Sequence, residues 1–218
     1  MSKNNKLSAK EGLQRLREGN QRFTSDVRSL ESLLSHTRRS EMADGQEPFA
    51  VILGCSDSRV PAETVFDQGI GDLFVIRVAG NIVAPSQVGS IEFAAEHFGA
   101  RLVVVLGHSH CGAISATINQ LENPEQSTSV GIQSIVDRVR PSVETLISAG
   151  LHGCELSQAA VRANVRSSAD KLRHGSALLE KLVEEDGMLI VGAEYDLSTG
   201  KVDFFDGMPA DLEPADSK

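Results

Sequence analysis

Two short apolar segments of the sequence each end in a glycine that is followed by a side chain able to bind a soft metal ion. The run AVILG precedes Cys55, and VVVLG precedes His108, with Cys111 three positions later. Open parallel sheets bind their ligands at the carboxyl ends of the strands. We therefore predict that these three side chains converge at one edge of a sheet.

Two thiolates and one imidazole form a zinc site of the catalytic kind, because three protein ligands leave the fourth tetrahedral position open. Thiolate ligands favour zinc over magnesium or calcium. Cys111 precedes GAISATI, which is typical of the start of a helix, and the positive end of a helix dipole favours a thiolate. We expect one Zn²⁺ per chain.

An acid and a base follow Cys55 at alternate positions, in the segment CSDSR. Asp57 could accept a hydrogen bond from a zinc-bound hydroxide, and Arg59 could hold Asp57 ionised and in place. The alternative interpretation is an ordinary surface ion pair, which contributes only about 0–1 kcal/mol.

Other reactive residues show no comparable pattern. Cys154, in LHGCELS, has no partner motif and is interpreted as structural. His110 has the wrong spacing for a third ligand at a strand end. The segment DQGIGDLF lacks the third glycine of a dinucleotide-binding loop and does not open a helix after a strand.

The segments that must position these residues follow an α/β pattern. Strands are predicted at 49–54, 73–78 and 102–107, because each is β-branched and mostly apolar on both faces, as in a covered parallel sheet. A helical pattern between the second and third strands makes a crossover unit. Helices are predicted around 130–149 and 155–185, with Pro141 and Gly175 as candidate breaks, and the end of the chain reads as strand, turn, strand. We predict a mainly parallel central sheet flanked by helices.

The beginning of the chain is predicted to be an N-terminal helical arm, residues 1–45, followed by a zinc-binding α/β catalytic domain, residues 46–218. LSAKEGLQRLREGNQRF has capping-box spacing at Ser8 and Glu11, and a second helix is predicted in SLESLLSHTRRSEMADG. Because the arm is polar outside a narrow seam, we expect it to have little core of its own and to pack on a partner subunit.

Composition limits the classes of protein and of partner. The chain has 218 residues, 40% hydrophobic and 23% charged, which is typical of one globular domain. Its net charge of −9 argues against a nucleic-acid partner. No apolar run reaches the roughly 18 residues of a membrane span, and the first residues lack the apolar core of a secretory signal. We expect a cytoplasmic protein with no membrane partner.

The pair of motifs CSDSR and GHSHCGA resembles the β-class carbonic anhydrases. The likeness extends from LQRLREGNQRF through GDLFVIRVAGNIV to VGAEYDLSTGKV and so covers most of the chain. It implies an α/β enzyme, a zinc lyase, that hydrates carbon dioxide reversibly to bicarbonate and a proton by attack of zinc-bound hydroxide. It also implies a homodimer or homotetramer whose N-terminal helices embrace the neighbouring subunit.

The resemblance also implies roles for individual residues. Cys55, His108 and Cys111 would be the zinc ligands, and Asp57 and Arg59 the catalytic pair. In the regulated branch of the family, the aspartate leaves its arginine and takes the fourth zinc position, so Asp57 is also a candidate metal ligand.

The substrate site implied by the resemblance combines polar groups for bicarbonate with an apolar wall for carbon dioxide. The implied substrate-binding residues are Gln46, Phe74, Ala79, Phe93 and Gly112. Some of these wall residues come from the partner subunit in the family. Phe74 and Phe93 could equally be core residues, since apolar side chains fill cores by default.

Bicarbonate inhibits the regulated members of the family through a tryptophan, an arginine and a tyrosine. The matching positions here are Ile52, Arg77 and Tyr195, and the chain contains no tryptophan. We therefore expect weak or absent inhibition by bicarbonate.

Three other functions are compatible with parts of the pattern. Relatives of the family hydrolyse carbon disulfide or carbonyl sulfide on the same fold. A non-catalytic zinc module that stabilises a dimer would need a fourth protein ligand, for which Asp57 is the nearby candidate. A redox dithiol formed by Cys55 and Cys111 would leave His108 without a role.

Overall fold

Five strands form one sheet in the part of the chain that the computed structural model describes, residues 7–29, 40 and 42–212. The strands are β1 (Ala50–Gly54), β2 (Leu73–Arg77), β3 (Leu102–His108), β4 (Leu189–Tyr195) and β5 (Val202–Asp206). Their order is β2-β1-β3-β4-β5; the first four are parallel, and β5 is antiparallel to β4. The predicted α/β class with a mainly parallel central sheet is confirmed.

The two central strands are covered on both faces. Every residue of β1 and of β3 is buried, which explains why their sequences are apolar without alternation. On one face, Ile52 and Val104 pack with Leu16 and Phe66. The opposite face has its own cluster of aliphatic side chains, contributed by the sheet and by three helices.

Helices surround the sheet. They are α1 (Ala9–Thr24), α2 (Ala62–Val65), α3 (Pro85–His97), α4 (Gly112–Glu122), α5 (Val130–Ser148), α6 (Gly153–His174) and α7 (Ala177–Glu185), with a 3-10 turn at Ala79–Asn81. Beyond the carboxyl ends of β1 and β3, α4, α5 and α6 build a third cluster of buried residues that includes Cys55 and Cys111. None of the described helices has the length and apolar character needed to cross a membrane.

The first helix belongs to the core of its own chain. Ser8 and Glu11 form the predicted capping box, and Leu13 and Leu16 are fully buried against the sheet. This differs from the expectation that the arm has little core of its own. Most of the second predicted helix lies outside the described residues. A contact between the arm and a partner subunit, and a boundary after residue 45, stay predictions.

Candidate metal centre and active site

The three predicted ligands come together at the carboxyl ends of the two central strands. Cys55 follows the last residue of β1, His108 is the last residue of β3, and Cys111 directly precedes α4. Because β1 and β3 are adjacent and parallel, their ends meet. The two Sγ atoms and an imidazole nitrogen all lie within 4.8 Å of one another, and all three residues are buried.

The orientation of His108 leaves one ring nitrogen facing the two sulfurs. Its Nδ1 lies 2.9 Å from the carbonyl oxygen of Ser109 and donates a hydrogen bond to it, so that Nε2 carries the lone pair. Ser109 is held in turn, because its N–H bonds to the carbonyl of Tyr195 and its Oγ accepts from the N–H of Leu197. His108 Nε2 is buried and has no hydrogen-bond partner within the described residues.

The two thiols affect each other's protonation. The hydrogen bond from Cys111 lowers the pKa of Cys55 well below that of an ordinary thiol, and the same contact raises the pKa of Cys111. The backbone N–H of Gly80, 3.4 Å from Cys55 Sγ, also favours the Cys55 thiolate. The negative charge is thus favoured on Cys55, and a divalent cation would favour the thiolate form of both residues.

A metal ion therefore fits this donor set. A buried acceptor without a partner, such as His108 Nε2, costs roughly 1–3 kcal/mol, and coordination would remove that cost. Two sulfurs and one nitrogen in a buried cluster match zinc among the common biological cations. Cys55, His108 and Cys111 together could bind one such ion.

The acid–base pair lies beside the three ligands. Arg59 donates from Nε to Asp57 Oδ1 at 2.9 Å and from Nη2 to Oδ2 at 2.7 Å, and its backbone N–H also bonds to Oδ1. These bonds hold the pKa of Asp57 well below its usual range. Asp57 Oδ2 is 3.9 Å from His108 Nε2. Both carboxylate oxygens bind Arg59 here, so Asp57 lies beside the three ligands, and its role as a fourth metal ligand stays a prediction.

A second arginine fixes the loop that carries Cys55 and Asp57. Arg77 Nε donates to the carbonyl of Cys55 at 3.1 Å, and Arg77 Nη2 donates to the carbonyl of Asp57 at 2.6 Å. Sequence reasoning assigned Arg77 only to a possible bicarbonate site. It missed this contact, because the sequence does not indicate which backbone carbonyls an arginine reaches.

The predicted substrate residues are spread over a wider area. Ala79 and Gly112 are sequence neighbours of Gly80 and Cys111, while Gln46 is exposed before β1. Phe74 and Phe93 contact each other, with ring centroids 6.4 Å apart, and both also contact Phe98. Among the hydrogen bonds and ring contacts of the described residues, none joins Gln46 or Phe93 to the three ligands.

Comparisons with known proteins show which family this chain resembles. The family model described as carbonic anhydrase matches residues 50–202. Carbonic anhydrase 2 of Mycobacterium tuberculosis is 39% identical over 85% of this chain and 87% of its own length. The β-carbonic anhydrase CafA of Aspergillus fumigatus has a TM-score of 0.70 at 26% identity, covering 79% of this chain and 82% of that one.

A further structural neighbour comes from the tetrameric β-carbonic anhydrases of Sordaria macrospora. It has a TM-score of 0.65 at 25% identity, covering 76% of this chain and 84% of that one. The resemblance seen in the motifs is thereby confirmed over most of the sequence. The chain therefore belongs to the β-class carbonic anhydrase family of enzymes.

Proposed function

We propose that the chain hydrates carbon dioxide reversibly to bicarbonate and a proton, with one zinc ion held by Cys55, His108 and Cys111. The observation that carries this proposal is the buried cluster of two sulfurs and one imidazole, whose Nε2 has no partner within the described residues. When bound, zinc supplies Lewis acidity at this position.

The protein groups around the ligands have separate tasks. The carbonyl of Ser109 keeps the proton of His108 on Nδ1, so that Nε2 stays available. Arg59 keeps Asp57 ionised and fixed. Asp57 then accepts a hydrogen bond from the water that reacts with carbon dioxide and so orients that water.

The two forms of the substrate need different surroundings. Carbon dioxide is neutral and linear, and an apolar wall formed by Phe74, Ala79 and Phe93 suits it. Bicarbonate needs donors, for which we propose the backbone N–H of Gly112, at the exposed first residue of α4, and the side chain of Gln46. Because none of the ring contacts of Phe93 within the described residues involves the three ligands, we propose that Phe93 serves the site of a partner subunit.

We propose a homodimer as the active unit, possible assembly into a tetramer, and a cytoplasmic location. The tetrameric relatives from Sordaria macrospora support the assembly. The N-terminal arm, residues 1–45, is the proposed contact with the neighbour, and residues 46–218 are the proposed catalytic domain.

A stopped-flow assay of carbon dioxide hydration, combined with zinc analysis of the same purified sample, tests this function. We expect about one zinc per chain and rapid hydration. If the zinc-loaded protein hydrolyses carbonyl sulfide but does not hydrate carbon dioxide, the proposed substrate is wrong and carbonyl sulfide takes its place. Full zinc occupancy without either activity would favour a non-catalytic zinc module.

A further inference from the structure

The backbone at Gly80 is shaped to present its N–H to a zinc ligand. Gly80 has a φ of +70°, in the left-handed region, and lies in the 3-10 turn that follows β2. A Cβ at this position would lie 3.0 Å from the Cβ of Ala113. The positive φ and this close approach both favour a residue without a side chain, and the N–H of Gly80 donates to Cys55 Sγ at 3.4 Å.

The carbonyl of the same glycine is held from a distant part of the chain. Asn164, in the middle of α6, donates from Nδ2 to the Gly80 carbonyl oxygen at 2.8 Å. Asn164 is only 2% exposed, and its neighbours on the helix, Val161 and Val165, are buried apolar residues. Asparagine is a poor helix former, and a buried amide is costly unless it is bonded, so stability alone would favour an apolar residue here.

We propose that Asn164 is a positioning residue for the zinc site, which it reaches through Gly80. This inference rests on the proposed function. Asn164 fixes the peptide of Gly80, and the Gly80 N–H then bonds to the sulfur of Cys55. The three residues form a chain of two hydrogen bonds that crosses from α6 to the end of β1.

The expected consequence is electronic. An N–H donor draws negative charge from a thiolate, so that the sulfur passes less charge to a bound metal ion. Two thiolates would otherwise cancel the charge of Zn²⁺ and weaken its Lewis acidity. The hydrogen bond to Cys55 therefore preserves part of that acidity, and it also fixes the direction in which the sulfur points.

Protein loaded with ¹¹³Cd²⁺ in place of zinc gives a direct test by NMR. The ¹¹³Cd chemical shift reports whether two thiolates bind the metal ion. A scalar coupling between ¹¹³Cd and the amide proton of Gly80 reports the N–H···S hydrogen bond in the wild-type protein, without any substitution. We expect a shift in the thiolate range and a resolved Gly80 coupling.

Variants then test the role of Asn164. Asn164→Ala removes the amide, and Asn164→Leu replaces it with a side chain of similar size that cannot donate. In both we expect loss of the Gly80 coupling, a change in the ¹¹³Cd shift, and about a 10-fold loss of zinc affinity against a competing chelator. Ser168→Ala, which removes another buried polar group of α6 one turn further on, should leave all three unchanged.

The possible outcomes separate this inference from the proposed function. A ¹¹³Cd shift outside the thiolate range overturns the proposed zinc site and the inference with it. A shift in the thiolate range without a coupling to Gly80 overturns the inference alone. A coupling that persists in either folded Asn164 variant overturns the role of Asn164.

Discussion

Arg59 binds both carboxylate oxygens of Asp57, at 2.9 Å from Nε to Oδ1 and at 2.7 Å from Nη2 to Oδ2. Nη2 also reaches the carbonyl of His110, at 3.4 Å. The pair thus links the loop after β1, which carries Cys55, to the loop after β3, which carries Cys111. This position distinguishes it from an ordinary surface ion pair.

The first prediction concerns catalysis by this pair. In Asp57→Asn, zinc content should stay at one per chain while carbon dioxide hydration falls by about 10- to 100-fold, because an amide is not an anionic acceptor. Arg59→Ala should act in the same direction by freeing Asp57. Asp137→Asn alters an exposed ion pair on α5 and serves as the control. Wild-type rates in both the Asp57 and the Arg59 variant would show that the two residues form an ordinary surface ion pair.

The second prediction concerns the metal ligands. Cys55→Ala, His108→Ala and Cys111→Ala should each lose zinc and hydration activity together, because two remaining ligands cannot hold the ion. Cys154 is exposed and provides the matched control, so Cys154→Ala should keep both. Elemental analysis and stopped-flow rates measure the two properties. Full zinc occupancy in Cys111→Ala would contradict the assignment.

The third prediction gives the sign of an acid effect on stability. Arg59 holds the pKa of Asp57 below the value of about 3.9 expected in the unfolded chain, so the pair stabilises the fold above pH 4. That stabilisation should disappear as the pH falls through the folded-state pKa. Urea unfolding of metal-free wild type and of metal-free Arg59→Gln measures the two free energies of unfolding. The wild type should be more stable at pH 7, and the difference between the two free energies should narrow below about pH 4. A difference that widens in acid would contradict this sign.

The fourth prediction is that bicarbonate inhibits the enzyme weakly or not at all. Ile52 stands where the regulated relatives carry tryptophan, and it is fully buried in β1. Arg77, the second matching position, already donates to the carbonyls of Cys55 and Asp57. Initial rates measured over a range of bicarbonate concentrations should fit simple competition with product. A sigmoidal loss of activity would indicate an inhibitory site of another composition.

The fifth prediction concerns assembly. Phe93 is 45% exposed on α3 and stacks on His97, with ring centroids 4.1 Å apart, beside Phe74. An exposed aromatic group of this kind suits a subunit interface. Sedimentation should show a dimer or larger species, and Phe93→Arg should shift it toward monomer with loss of activity. Ile132→Arg, at an equally exposed apolar position on α5, should not. A fully active wild-type monomer at micromolar concentration would refute the predicted assembly.

The strands could be predicted closely because their burial leaves a strong mark on the sequence. The expected strands at 73–78 and 102–107 differ from β2 and β3 by one residue at one end. Helix breaks were harder to predict. Gly175 does separate α6 from α7, but Pro141 lies inside α5. Pro141 has no N–H to donate to the carbonyl of Asp137, four residues earlier in the helix. Both residues are exposed, so that carbonyl stays in contact with water and the helix continues.

The proposed ligands could be found from the sequence, whereas the groups that orient them could not. Cys55, His108 and Cys111 follow recognisable strand ends. Ser109 and Gly80 act through backbone atoms, whose direction depends on φ and ψ and not on residue type. Asn164 lies 84 positions after Gly80 and meets it only in the folded chain.

The placement of the proposed ligands at the ends of two neighbouring strands should also make the amount of folded protein depend on the supply of zinc. β2 and α3 lie between Cys55 and His108 in the sequence. The two ligands therefore come together only after β1 and β3 have paired. A zinc ion bound there, as proposed, would connect the two central strands and stabilise the native state in proportion to the logarithm of the free metal concentration. Cells starved of zinc should therefore contain less of this protein, and not merely less active protein, because the unloaded chains unfold and are degraded more readily.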